Sequence, residues 1–331
     1  MVVDQNARVV AERRLSGWLG YGVMLAFLLF LVFGGQEAAA WVAGQPALAS
    51  WATILVSIVV QAVPFLVFGV LLSAALVAFV PAETIQRALP KRQGAAVPVA
   101  ATAGAVLPGC ECASVPLAGG MMSRGVAPAA ALAFLLAAPA INPIVTISTF
   151  VAFPNQPEMA VARFVASLAA AMVVGWIWLR LGKEQWLRIP SRYHLGDATG
   201  WEAFRRSATH DFLHAGGFLV VGGIAAATLN VFIPTEWLDT LADNPWLGVL
   251  ALAVLAVLLC ICSEADAFVA ASLTGFSPVA QLTFMVVGPM VDLKLISLQA
   301  GTFGRAFAQR FAPLTFVVAI LAAVAVGTVL L

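Results

Sequence analysis

Charge is what this sequence has least of. Of 331 residues, 17 are Lys or Arg and 16 are Asp or Glu, 10% in all, against roughly 25% in an ordinary soluble domain. Even with the three histidines, these side chains cannot build the polar shell that a water-soluble chain of this length needs, so a soluble enzyme is excluded. The net charge of +1 leaves no basic footprint for nucleic acid, and a hydrophobic content of 62% excludes disorder. The alternating pattern of a membrane barrel is missing too. So is a Gly-x-x-x-x-Gly-Lys-Ser/Thr phosphate loop, so the chain does not hydrolyse ATP in that way. No quinone, haem or flavin fingerprint is legible, and no cofactor is expected. What is present are recurring apolar runs of about 20 residues, the length that crosses a bilayer as a helix. They predict an all-α, multi-pass integral membrane protein whose first partner is the lipid bilayer.

The placement of the few charges fixes a topology. Eighteen of the 33 lie in residues 1–16, 81–94 and 180–206, which read as aqueous loops. Arg8, Arg13 and Arg14 precede the first apolar run, 17–34, and put the N-terminus in the cytoplasm under the positive-inside rule. A cleaved signal peptide ending near Ala38–Ala40 is the competing reading, but its apolar core would exceed the usual 7–15 residues. The connection from Glu37 to Ser50 has no Lys or Arg, and the run from Trp51 to Val80 returns to Arg87, Lys91 and Arg92. From there to the basic loop with Arg180, Lys183, Arg188, Arg192, Arg205 and Arg206 an even number of crossings is needed, yet three apolar segments intervene, 95–123, 126–153 and 159–182. The first is interrupted by Leu107-Pro108-Gly109-Cys110-Glu111-Cys112, which a helix does not run through smoothly, and is expected to be a re-entrant hairpin open to the cytoplasm. In the second half, 207–232 leads outside to Glu236, Asp239 and Asp243, and Arg305 and Arg310 must be inside. Of the segments 246–275 and 277–299 only one can then cross. The one broken at Cys260-Ile261-Cys262-Ser263-Glu264 becomes a second hairpin, open to the outside, and 312–331 is the last crossing.

An internal repeat explains this parity. Phe65–Glu83 matches Phe218–Glu236 with nine identities in nineteen, among them Gly69 with Gly222, Pro81 with Pro234 and Glu83 with Glu236. At an offset of 150, Cys110 and Cys112 match Cys260 and Cys262, and Gly125, Pro128, Phe134 and Pro139 match Gly275, Pro278, Phe284 and Pro289. The expected organisation is an N-terminal tail and first helix (1–50), a first repeat (51–182) with hairpin 95–123, a basic cytoplasmic loop (183–206), and a second, inverted repeat (207–331) with hairpin 246–275. That amounts to about seven full transmembrane helices plus two re-entrant hairpins. Inverted halves with broken elements at matching positions are the architecture of secondary transporters, with the substrate near the midplane. Irregular backbone at that depth is tolerated only inside protein or beside a water-filled cavity.

All four cysteines fall into the two Cys-x-Cys pairs, Cys110 with Cys112 and Cys260 with Cys262. A free cysteine is ordinarily a small buried hydrophobe, but two symmetric pairs and none elsewhere point to a shared use. Thiolates select Cu(I), Zn and, by the same softness, trivalent arsenic or antimony. Opposed hairpins could bring two to four sulfurs around one ion; four closed thiolates suit a structural zinc site, whereas a transporter must release its cargo. A methylated trivalent arsenical has two exchangeable positions, which a single pair satisfies. The rival reading is covalent: a strained, exchange-prone disulfide within Cys110-Glu111-Cys112 suits a membrane thiol oxidoreductase or a persulfide relay, or a transporter of sulfur compounds.

Intramembrane acids are functional candidates by default. Glu111, Glu264 and Asp266 are proton-coupling candidates, because thiol deprotonation on binding must be balanced; a water-facing place at a hairpin mouth is the alternative for each. Asn142 and Asp292 occupy equivalent positions after Pro139 and Pro289 and join the cysteines as substrate-binding candidates. Asp292 and Lys294 are expected to neutralise each other. His210 and His214, at i and i+4, could form a metal antechamber or a solvated helix start. Gly119, Gly120, Gly222 and Gly223 are expected at close helix contacts, and Trp176, Trp178, Trp186, Trp237 and Trp246 in the interfacial belt.

Pro108-Gly109-Cys110-Glu111-Cys112-Ala113-Ser114-Val115-Pro116 and Ala138-Pro139-Ala140-Ile141-Asn142-Pro143 resemble the bacterial predicted-permease family that includes ArsP, the efflux permease for trivalent organoarsenicals. The resemblance continues through Cys262-Ser263-Glu264-Ala265-Asp266-Ala267-Phe268 and Gly288-Pro289-Met290-Val291-Asp292, so it covers most of the chain from Trp51. It implies a permease of the bacterial cytoplasmic membrane and not an enzyme, with Cys110, Cys112, Cys260 and Cys262 as thiol and metal ligands. The implied cargo is a thiophilic ion or organometalloid, moved outward. A homo-oligomer is compatible with this reading.

Overall fold

The computed structural model describes residues 45–331 apart from 82, 85–86, 88, 91, 107–109, 190–198 and 233–243. The first apolar run and its flanking charges lie outside the described residues, as do Pro108, Gly109, Arg192, Glu236, Trp237, Asp239 and Asp243. The chain divides at Thr53 into an N-terminal unit and the unit Ile54–Leu331, to which the packing below refers.

Twelve α-helices and no strand are present among the described residues. The first half comprises α1 (Pro46–Phe79), α2 (Gln93–Ala103), α3 (Glu111–Ser123), α4 (Pro128–Ile141), α5 (Pro143–Ala152) and α6 (Glu158–Leu181). The second comprises α7 (Gly200–Phe232), α8 (Pro245–Leu259), α9 (Asp266–Ser272), α10 (Pro278–Val287), α11 (Leu293–Phe303) and α12 (Arg305–Leu330). Each half therefore runs as one long helix, two short ones, two more short ones and a long last helix. Proline starts α4, α5, α8 and α10, where its missing N–H has no intrahelical partner to lose and its fixed φ suits the first turn. Asn142, Asn244, Ser277 and Asp292 each cap the following helix through a side-chain oxygen, accepting from amides that would otherwise be orphaned.

Five helical segments are long and apolar enough to cross a membrane: α1, α4 with α5 as one 25-residue segment, α6, α7 and α12. The α10–α11 segment lacks the continuity of its counterpart because Gly288–Asp292 interrupts it. The short helices cannot cross singly. At 1.5 Å per residue α2 and α3 reach about 16 and 20 Å, and α8 and α9 about 22 and 10 Å, against a hydrocarbon core of about 30 Å.

Contacts establish that both short pairs turn back. A Cβ built on Gly104, just past α2, would lie 2.7 Å from Ala138 N, while one on Gly175 of α6 would touch both Val97 of α2 and Ala133 of α4. So α2 runs alongside α4 in the same direction, and α3, joined to α4 by a short turn, runs in the opposite one. In the second half, Ala256 of α8 and the Asp266 carboxylate that opens α9 both lie within 4 Å of a Cβ built on Gly288, at the end of α10. The α9–α10 turn is tied by Gln281 Nε2 donating to Leu273 O at 3.0 Å. The two hairpin tips thus sit beside the two helix breaks, at 142 and at 288–292.

The centre is α4, of whose fourteen residues thirteen are buried, with α10 as its counterpart. A helix apolar all round belongs in the middle. Across the halves α3 packs against α11, and α9 against α5. These two seams each join the returning helix of one hairpin to the second half of the other repeat's broken helix, beside the packing of α6 against α10 and α12. Trp178 departs from the interfacial belt. It is buried, edge-on to Trp186, Phe307 and Phe311 with centroids 5.1–6.4 Å apart, because α12 packs over α6 there; Trp176 and Trp246 are exposed.

Candidate functional site

The first tip delivers Cys110 as the residue before α3, with Glu111 and Cys112 in its first turn. All three are fully buried. Cys110 and Cys112, one residue apart at the tip, act electrostatically on each other. The second tip is built differently. Cys260 ends α8 in the left-handed conformation, φ 52°, the only non-glycine with positive φ among the described residues. That conformation costs an L-residue roughly 1–2 kcal/mol. It turns the chain sharply so that Cys260 Sγ donates to Val257 O at 3.4 Å, beside the amides of Leu293 and Lys294 at the start of α11. Cys262 is also buried, and its carbonyl accepts from the amides of Ala265 and Asp266 in the turn that leads into α9. All four cysteines are free. Among the described residues no three His, Cys, Asp or Glu side chains gather closely enough to hold one ion, so the largest thiol grouping brought together is a pair.

The buried charges join the two halves. Lys294 Nζ lies 2.5 Å from Glu111 Oε1 and 3.6 Å from Asp292 Oδ2. The expected Asp292–Lys294 pair is present, but Lys294, on α11, is nearer still to the carboxylate on α3 of the other half, while Asp292 Oδ1 caps α11, accepting from Leu295 N. Lys294 can lie this deep because α7 passes over it at Gly222, where a Cβ would be 2.7 Å from Lys294 Cα. Likewise α1 passes over α3 at Gly69, where a Cβ would be 2.4 Å from Ala113 Cα, and at Ser73, whose hydroxyl donates to Pro116 O at 2.8 Å beneath Gly120. Lys294 is the common electrostatic neighbour of Cys110, Cys112, Cys260 and Cys262.

A second ion pair involves a residue the sequence reading passed over. Arg163, within α6, is 1% exposed and contacts Asp266 Oδ2 at 2.7 Å. It also donates to Thr149 Oγ1 of α5 at 2.8 Å and to the Ser263 carbonyl at 3.1 Å. The signal was available: a lone cation inside an apolar span is as costly, and as informative, as a lone acid. Neither Glu111 nor Asp266 is at a water-facing mouth; both are buried. Glu264 is half-buried between the two pairs, with Glu111, Lys294 and Arg163 all near enough to act on it. Asn142 serves as the cap of α5, accepting from Val145 N at 3.0 Å and donating to Ala138 O at 3.1 Å, so its mirrored position with Asp292 reflects a shared capping task. His210 and His214 stack on an exposed part of α7, and His214 Nε2 is 3.1 Å from Gly301 O, away from the cysteines.

The match to known proteins covers this whole arrangement. The ArsP_1 family model, described as a predicted permease, matches residues 47–328. The chain belongs to the predicted-permease family. The permease is similar to the UPF0718 protein YcgR of Bacillus subtilis, 34% identical over 278 residues that make up 82% of this chain and 94% of that one. It is also similar to a putative two-component membrane permease complex subunit of Streptococcus mutans, 29% identical over 284 residues, 83% of this chain and 94% of that one. No solved structure matches it. The family is one of predicted membrane permeases, and the match spans both cysteine pairs and both ion pairs of the permease.

Proposed function

We propose that this permease is a secondary transporter of the bacterial cytoplasmic membrane, its N-terminus inside, that exports a thiophilic cargo through the central cysteines. The observation that carries the reading is the confinement of all four cysteines to two buried hairpin tips beside helix breaks. Free thiols and a buried cation that acts on all four of them then share one region. Because no three ligating side chains gather around one point among the described residues, the cargo that fits is one with two exchangeable positions, a monomethylated trivalent arsenical, ahead of an ion that needs three or four sulfurs. A soft pair that is not a closed four-thiolate cage also lets the cargo go. Each As–S bond formed breaks one As–O bond, and the expelled hydroxyl leaves as water with the thiol's proton; Glu111, Glu264 and Asp266 are the candidates to relay that proton from sulfur to the leaving oxygen. Asn142 and Asp292 contribute by holding the broken helices, with Asp292 keeping one oxygen toward Lys294.

The test is resistance. Cells expressing the permease should tolerate methylarsenite, and Cys112→Ser or Cys262→Ser should abolish that tolerance; undiminished resistance in both variants would remove the thiol site. Uptake of methylarsenite and antimonite into inverted vesicles then ranks the cargoes. The covalent alternative, a sulfur relay, predicts instead a persulfide or mixed disulfide trapped on the purified protein.

A further inference from the structure

Each hairpin's returning helix begins with an acid, Glu111 in α3 and Asp266 in α9, and each acid is buried against a base from the other repeat. The two pairs lie in different seams. Glu111–Lys294 spans the α3–α11 seam, and Arg163–Asp266 spans the seam of α9 with α5, which α6 backs. In an inverted repeat α3 and α11 occupy one half of the bilayer and α5 and α9 the other, so each seam shuts one face of the cysteine region. Cys262 and Glu264 stand between the pairs, both near Glu111 and Lys294, and Glu264 also near Arg163.

We propose that the two ion pairs are reciprocal clasps, each closing one face of the central site, and that Arg163 is the positioning residue that holds the Cys262 turn against the first repeat. Parting a buried pair strands two charges away from water, so a seam can open only as water fills it. Opening one seam hydrates one pair. Opening both exposes four charges and joins the two aqueous phases, which makes it the costliest state. Both pairs are closed in this structure, and the four thiols are buried accordingly. Arg163 does more than neutralise Asp266: its fork reaches Thr149, the Ser263 carbonyl and the carboxylate together, three directed bonds that a lysine cannot reproduce. The need for alternation rests on the transporter reading; the clasps are independent of the cargo.

Side-specific labelling tests this in the full-length protein in membrane vesicles. One parent keeps Cys262 as its sole thiol and the other keeps Cys110, the remaining cysteines being serine. A membrane-impermeant maleimide is applied to either face without any cargo. Arg163→Ala and Asp266→Asn are expected to speed Cys262 labelling from one face only, by roughly 5- to 150-fold, the usual span of a coupling between two states. Lys294→Met is expected to speed Cys110 labelling from the opposite face only. Arg163→Lys should fall between parent and Arg163→Ala, and Arg163→Asp combined with Asp266→Arg should slow Cys262 again. Acceleration from both faces alike, from the same face for both clasps, or in neither folded variant overturns the proposal. So does failure of both Arg163→Ala and Asp266→Asn to accumulate, since a pair that parts in every cycle cannot be indispensable for folding. No cargo is used, so a loss of the arsenical reading in the resistance test would leave these rates untouched.

Discussion

Removing the Lys294 ammonium should expose how strongly the two halves depend on one buried cation. At an effective dielectric of about 20, unit charges at the observed 2.5 and 3.6 Å attract by about 7 and about 5 kcal/mol. Dehydrating three ions at several kcal/mol each offsets most of this, so the intact triad contributes little net stability. Its disruption is another matter. Lys294→Met deletes both attractions and leaves Glu111 and Asp292 buried without their cation, a loss of about 3–5 kcal/mol. Adding Glu111→Gln removes one stranded carboxylate, so the double variant should be more stable than the sum of the single effects by about 2 kcal/mol. The assay is a double-mutant cycle on purified protein unfolded in mixed micelles of mild and denaturing detergent, followed by circular dichroism. Effects that add within about 0.5 kcal/mol, the behaviour of independent sites, would refute the inter-repeat pair.

Three further outcomes follow from single positions. Gly69→Val should destabilise by about 1–3 kcal/mol, as overpacking does, because the obstructing atom is the Ala113 backbone; Gly94→Val, where a Cβ meets nothing within 4 Å, should be close to neutral in the same unfolding assay. Cys260→Gly should stabilise by about 1 kcal/mol by releasing the left-handed strain, whereas Cys260→Ser should not, which separates the backbone cost of this position from its thiol. Asn142→Ala should cost about 0.5–2 kcal/mol through the lost cap, while Asp292→Asn should keep the α11 cap and lose the charge; a larger stability loss for Asp292→Asn than for Asn142→Ala would show that the Lys294 contact outweighs the cap.

The fold was legible in the sequence to the extent that charge and proline punctuate it. The breaks between α2 and α3 and between α8 and α9 could be found because Cys-x-Cys interrupts otherwise apolar runs. The site was legible in its residue types but not in its partners. Pattern placed Lys294 beside Asp292, its neighbour two residues away, since sequence shows local proximity and hides a contact spanning 183 positions. Arg163 went unread because the run around it is apolar enough to look like an ordinary span. Symmetry alone marks Asn142 and Asp292 as ligand candidates, and a shared capping task accounts for the same symmetry.

The charged clasps also carry a history. At the repeat offset, Glu111 corresponds to Ile261, Lys294 to Ile144 and Asp266 to Pro116, so the succession of helices repeats but the ion pairs do not. Two identical copies inserted in opposite orientations would have had each pair twice or not at all. Matched scaffolding with mismatched latches makes the two seams unequal in kind, an arginine fork in one and a lysine in the other.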